Sequence, residues 1–306
     1  MTGYLAAFAA GVLWAVGGLL VRYLQQYGFS AMTIALLRLI LAWSLLTIFI
    51  LVGRRELFRI RKRDLLAFAV LGAIGPAGSQ PLFIWSVTLT TVAVATILNY
   101  TGPIFVVLLS RIFLGERITP VKVAALVLTT AGLVLVTGVY RAGGSVSPLA
   151  LVTGLGSGFL YGCYTLVLKK VSGGHHPLTT QWWTMLFGLP LVTMYAWSSI
   201  GGIPTSLPAQ AFATMLAIGA GPGFAAFVLF TWALKRIQAS RATIVATIEP
   251  AAATILGFLV LGEKMGVAEA LGVVLVLVGI GLVTMGRGAR ENADKAGAVR
   301  ISDMTS

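Results

Sequence analysis

The sequence predicts an all-α membrane protein whose ten transmembrane helices form two five-helix repeats of inverted topology. Three observations carry that prediction: an apolar composition divided into helix-length runs, a one-sided placement of basic residues, and a repeat at a fixed spacing of 147 positions.

Of the 306 residues, 58% are hydrophobic and only 10% are charged, and the mean hydropathy is +0.95. A soluble domain carries about 25% charged residues, so the composition excludes the globular class. A spanning helix needs about 20 mostly apolar residues, and the first run of that length is 3–22. Its opening, "MTGYLAAFAAGVLWAVGGLLVRYL", lacks the basic start of a signal peptide and leads directly into further apolar runs, so it is expected to remain as the first helix. The second run is 31–52, followed by "RRELFRIRKR" (Arg54 to Arg63), which reads as a topology anchor able to touch anionic lipid headgroups. The third, 65–87, contains "GAIGPAGSQP", and only a few residues near Leu89 to Thr91 separate it from the fourth, 91–110. The fifth is 119–138, and the second half supplies 148–168, 178–198, 210–234, 240–260 and 267–285. His175 and His176 sit in a loop with no cysteine or carboxylate at metal-site spacing, so no metal and no cofactor are expected. Cys163 is the one cysteine, which excludes an internal disulfide and reads as a small packing residue.

A net charge of +13 can signal nucleic acid. Here the basic residues occupy short loops between apolar runs, and no basic groove emerges, so nucleic acid is not an expected partner. With a cytoplasmic N-terminus, eighteen Lys and Arg fall in inside loops and the C-terminal tail. Only Arg22, Arg141 and Lys264 fall outside, and Arg38 lies within the second span. The positive-inside rule therefore puts both termini in the cytoplasm of a multi-pass inner-membrane protein.

The repeat is plainest in two stretches. Ala95 to Arg117 reads "ATILNYTGPIFVVLLSRIFLGER", and Ala242 to Lys264 reads "ATIVATIEPAAATILGFLVLGEK". At the same offset of 147, Gly11 matches Gly158, Trp85 matches Trp232 and Gly132 matches Gly279, with no gap. A first repeat of 3–138 and a second of 148–286 follow, with a polar, disordered cytoplasmic tail at 287–306. Five spans per half is an odd number, so the second copy enters the membrane from the opposite face. Inverted repeats characterise secondary transporters, which expose a midplane site alternately to each side. "GAIGPAGSQP" in the third span and "GAGPGF" (Gly219 to Phe224) in the eighth are matched interruptions. Gly75, Pro76, Gly221 and Pro222 are thus candidate hinges, as are Pro103 and Pro250, against the plainer reading of close helix packing through small residues.

The blocks Pro103 to Arg117 and Pro250 to Lys264, with "GVLWAVGGLLVR" and "LLRLILA" (Leu36 to Ala42), resemble the ten-span EamA type of the drug/metabolite transporter superfamily. The resemblance covers about residues 3 to 286. It implies a central cavity between the five-helix halves and export or uptake of small metabolites, with amino acids the leading candidate. Cationic drugs, sugars and nucleosides are the alternatives.

Glu249 lies near the middle of the ninth span, where an ionised carboxylate costs several kcal/mol unless it is paired. It is the candidate for proton coupling, and its repeat-mate is Gly102. A protonated glutamate that only fixes helix packing is the plainer reading. Arg38 either grips a substrate carboxylate, pairs with Glu249, or snorkels to the interface. Gln80, Asn99, Tyr100 and Gln181 are polar groups in spans, where an inward orientation is expected. Trp14, Trp85, Tyr161 and Trp182 supply aromatic surface, with Trp14 and Tyr161 repeat-mates and Trp182 near a span end that suits an aromatic belt. Glu116 and Glu263 close the repeated blocks beside Arg117 and Lys264, where they are expected to cap helix ends or form loop ion pairs.

Two rival classes fare poorly. "GLGSGF" (Gly154 to Phe159) approaches an intramembrane serine-protease motif, yet Leu155 stands where a glycine belongs, and no span carries a histidine base. A channel needs pore-lining rings from symmetric oligomers, whereas duplication within one chain suits a carrier acting as a monomer or homodimer in the bilayer.

Overall fold

The computed structural model describes the backbone of residues 1–141, 146–197 and 208–303, with side chains through Met285. All regular structure among these residues is helical. The first half holds α1 (Thr2–Gln25), α2 (Ala31–Gly53), α3 (Leu65–Ile74), α4 (Gln80–Leu89), α5 (Val92–Asn99), α6 (Gly102–Phe113) and α7 (Pro120–Thr137). The second holds α8 (Pro148–Ser172), α9 (Pro177–Ala196), α10 (Ala209–Ile218), α11 (Ala226–Arg236), α12 (Ala239–Ala246), α13 (Ile248–Leu261) and α14 (Val267–Asp303). Local chemistry sets several starts: Ser30, Thr119 and Ser147 each accept a backbone N–H at the N-cap, and proline opens α7, α8 and α9.

Nine stretches of helix among the described residues are long and apolar enough to cross a membrane. Ten spans were expected, and the difference is α9. It has 20 residues, enough for about 30 Å, but it spends one face on Thr179, Thr180, Gln181 and Thr184, all buried against neighbouring helices. Those polar residues lower its hydropathy.

Four of the expected spans are interrupted, and each interruption has a proline behind it. A π-helical turn, Gly75–Ser79, separates α3 from α4, and another, Gly219–Ala225, separates α10 from α11. Pro76 and Pro222 cannot close an α-helical hydrogen bond and would clash with the carbonyl four residues back, so the helix widens there. The other two breaks are sharper. Tyr100 (ψ 5°) parts α5 from α6, and Thr247 (ψ 0°) parts α12 from α13. Pro103 denies the Asn99 carbonyl its helical donor, and Pro250 does the same to the Ala246 carbonyl.

Both carbonyls meet a glycine from the other half. A Cβ on Gly158 of α8 would come within 2.8 Å of the Asn99 carbonyl oxygen, and one on Gly11 of α1 within 2.8 Å of the Ala246 carbonyl oxygen. Other contacts also come in pairs related by the 147-residue offset. A Cβ on Gly72 would strike the Gly188 backbone, and one on Gly219 would strike Leu41. Gly132 approaches the Gly272 carbonyl and Val276, while Gly279 approaches the Ala125 carbonyl and Thr129. Thus α1 docks on α11 and α13, α8 docks on α4 and α6, and α7 lies against α14. The first helix of each half belongs, by packing, to the other half.

Overpacking a close-packed interface costs about 1–3 kcal/mol. Gly11→Ala and Gly158→Ala are therefore expected to lower stability by similar amounts in that range. Gly18→Ala, with nothing within 4 Å of its added Cβ, is expected to be neutral or slightly stabilising. Thermal unfolding in detergent, with all three compared in one micelle, checks the ranking.

Candidate functional site

The two sharp breaks bring Glu249 and Tyr100 together. Glu249 stands in the first turn of α13, directly before Pro250, and Tyr100 occupies the break before α6. The Tyr100 hydroxyl lies within interaction reach of the Glu249 carboxylate. Arg38 of α2 and Tyr161 of α8 lie within electrostatic reach of the same carboxylate. Arg38 Nη2 donates to Gln80 Oε1 at 3.3 Å, tying the guanidinium to the start of α4. Gly223, in the second π turn, lets the Arg38 stem pass, since a Cβ there would lie 3.1 Å from Arg38 Cγ.

This cluster draws on both halves: Arg38, Gln80 and Tyr100 from the first, Tyr161 and Glu249 from the second. All five are half-buried, so each keeps some accessible surface. One carboxylate, one guanidinium, two phenols and an amide gathered in this way have the chemistry to hold a small charged solute by complementary hydrogen bonds. A carboxylate partnered by a phenol and a neighbouring guanidinium is also one whose charge is tolerated at membrane depth.

The remaining candidates scatter. Trp14, on α1, packs its ring on Phe227 and Phe230 at centroid distances of 5.3 and 5.4 Å. Its buried Nε1 has no hydrogen-bond acceptor among the described residues. Asn99 adjoins Tyr100 but turns its Oδ1 to Ser157 Oγ, 2.8 Å away. Gln181 is fully buried, donating to Thr231 Oγ1 at 2.6 Å and lying 3.5 Å from the Tyr164 hydroxyl, so it ties α9 to α11 and α8. Trp182 donates to Thr47 Oγ1 at 2.8 Å, meets Phe58 and Trp183 edge-on and lies tilted against Trp43. Trp85 is 52% exposed on α4 and stands outside the cluster. The prolines and glycines at Gly75, Pro76, Pro103, Gly221, Pro222 and Pro250 all lie at the interruptions or within the first turn after them.

Sequence reasoning missed a polar strut beside the cluster. Ser157 Oγ lies 2.8 Å from the Ser79 carbonyl as well as from Asn99 Oδ1, and Ser79 Oγ donates to the Ser157 carbonyl at 3.0 Å. The strut joins the first π turn, the first sharp break and α8. The available signal was a lone serine in the small-residue run "GLGSGF", read only as a protease motif.

The sequence model of the EamA-like transporter family matches residues 1–138 and again 148–285. An uncharacterized inner membrane transporter of Salmonella typhimurium is 26% identical over 298 residues, covering 95% of this chain and 98% of the relative. An uncharacterized transporter of Archaeoglobus fulgidus is 28% identical over 271 residues, 84% of this chain and 88% of its own. A protein of Streptantibioticus cattleyicolor, described as a "probable terminal-alkyne amino-acid exporter", is 27% identical over 282 residues, 90% of this chain and 92% of its own. One crystal structure superposes with a TM-score of 0.77 at 19% identity, covering 92% of this chain and 96% of that one, a likeness of fold.

Removing one partner of a buried hydrogen bond costs about 1–3 kcal/mol when the other is left unsatisfied. Ser157→Ala is expected to destabilise by that amount. Ser157→Ala combined with Asn99→Ala is expected to cost less than the sum of the single changes, with a coupling of roughly 0.5–1.5 kcal/mol. Equilibrium unfolding in detergent of the two singles and the double closes the cycle.

Proposed function

This chain belongs to the EamA-like transporter family, and we propose that it is a secondary transporter exporting amino acids or closely related solutes across the inner membrane by alternating access. The observation that carries the reading is the cluster of Glu249, Tyr100, Tyr161, Arg38 and Gln80, assembled from both halves. An amino acid presents a carboxylate and an ammonium a few ångströms apart. The Arg38 guanidinium suits the carboxylate, as a planar bidentate donor. Glu249, with Tyr100 beside it, suits the ammonium. The exporter description of the Streptantibioticus cattleyicolor relative supports the same class.

In this reading α9 completes a set of ten spans. The halves 3–138 and 148–286 are related by a two-fold axis in the membrane plane, and both termini face the cytoplasm. The prolines at positions 76, 103, 222 and 250 mark where the helices flex as one half rocks against the other. Glu249 carries the coupling proton: it is charged when it holds an ammonium and protonated when the site returns empty, so solute and proton compete for one carboxylate.

Counterflow in proteoliposomes loaded with an amino-acid panel tests this. The native protein is expected to exchange a subset saturably and to run faster with an imposed pH gradient. Glu249→Gln is expected to abolish the pH-driven component. Exchange unchanged in both respects would make Glu249 structural, and no exchange of any amino acid would remove that substrate class. A charge-assisted hydrogen bond contributes about 1.5–3 kcal/mol, which is roughly ten- to hundredfold in affinity. Arg38→Gln is therefore expected to raise the apparent KM by at least about tenfold, read from initial rates in the same vesicles.

A further inference from the structure

We infer that Glu116 and Glu263, repeat-mates at the two membrane faces, are the closing residues of the transport cycle, each sealing its own end in a different state. The inference rests on the alternating-access reading above. In the state described, the two ends differ. Glu116 is 7% exposed and reaches across to the other half. Its Oε1 accepts the Ala239 N–H at 2.6 Å, and its Oε2 accepts the Ser240 N–H at 3.3 Å and the Ser240 hydroxyl. It thus supplies the cap that α12 lacks, for Gln238 at that N-cap makes no side-chain hydrogen bond. Lys122, 2% exposed, holds Glu116 at 3.4 Å and the Arg117 carbonyl at 3.0 Å. Lys169 of α8 donates to the Ile237 carbonyl at 2.9 Å and to the Leu234 carbonyl, closing the exit of α11. Arg241 donates to the Tyr4 hydroxyl at 2.8 Å and draws α1 into the same seal.

At the opposite end the matched residues stand apart. Glu263 pairs at 2.9 Å with Arg22, the mate of Lys169, and their side chains are 51% and 62% exposed. The equivalent helix start, at α5, has its own side-chain cap, Thr91 Oγ1 accepting the Val94 N–H at 3.3 Å, and it is uncovered: Val92 is 59% exposed where its mate Ala239 is fully buried. Glu116 caps a helix start and Glu263 forms an ion pair, the two roles the sequence suggests, each with partners other than its neighbour Arg117 or Lys264. Exchanging the contacts between repeats gives the alternate state. There Glu263 accepts the N–H groups at the start of α5 and Arg22 donates to the Val87 and Thr90 carbonyls, as Lys169 now does to those of Leu234 and Ile237, while Glu116 lets go of α12; the contact of Lys122 has no counterpart, since its mate is Glu269.

The test reads the two ends separately, in a Cys163→Ser background, with a membrane-impermeant maleimide. One reporter is Ala242→Cys, buried within α12 behind the Glu116 seal; the other is Val92→Cys at the open end. Glu116→Gln is expected to raise labelling of the Ala242→Cys site from the cytoplasmic side about fivefold or more, and to lower labelling of the Val92→Cys site from the other side. Adding Glu263→Gln is expected to return both toward the starting values. A rise at the first site with no fall at the second would make Glu116 a structural cap, and no change at either site would overturn the inference outright. Labelling that shifts reciprocally while counterflow of every amino acid fails would leave this inference standing and remove the substrate assignment instead.

Discussion

The fold depends on one contact made twice, a glycine of one half laid against the carbonyl that a proline has freed in the other. Pro103 strips the Asn99 carbonyl of its helical donor, and Gly158 lets α8 approach that spot; Pro250 and Gly11 do the same for Ala246 and α1. Any side chain on either glycine would drive the helices apart. Because each contact crosses between halves, the halves interlock, and neither can bury its own broken helix alone. In a bilayer, where an unsatisfied carbonyl is expensive, a break of this kind is tolerated only inside such a junction. The breaks are therefore consequences of the interlock as much as its cause.

From that junction the cluster follows. Tyr100 and Glu249 each sit within two residues of a break, so packing that fixes the breaks also fixes them. The backbone is close to symmetric there, while the side chains are not. The repeat-mate of Glu249 is Gly102, which has no side chain and instead makes room for the Tyr161 ring, which a Cβ there would meet at 2.7 Å. Trp14 and Tyr161 are likewise one position in two chemistries. A duplicated scaffold with unlike residues at its centre presents one polar site where a strict duplicate would present two.

Much of this was legible in the sequence, and the reasons are physical. Hydropathy fixes helices because lipid demands that every backbone group be bonded within its own segment. The offset of 147 survives in the glycines and prolines because backbone contacts tolerate no substitute there. Glu249, Arg38, Gln80, Tyr100 and Tyr161 stood out because polar groups are rare in spans. What escaped was partner choice. Gln181 and Trp182 share the polarity of the cluster residues, yet α9 turns them to Thr231 and Thr47, and only the helix rotation decides that. Ser157 escaped because a serine among glycines carries no sign of the strut it forms. The π turns escaped as well, since proline announces a defect without saying whether the helix will widen or break.

The difference between the ends is the more informative for being set in so symmetric a frame. The paired glycine contacts are satisfied in both halves at once, so packing in the middle gives little reason to prefer one arrangement of the halves over the other. The terminal networks do give a reason. Glu116 is enclosed, with two backbone N–H groups, a hydroxyl and a lysine, and carries four of its interactions out of water. Glu263 keeps one exposed arginine, and an exposed pair contributes about 0–1 kcal/mol. Under the proposed alternating access, a carrier that visits two states needs its bias small and located where it can be undone. Placing it in polar contacts at the water-facing ends, away from the apolar packing at the centre, meets that requirement, because a carboxylate released from its cap at the membrane face is rehydrated at once.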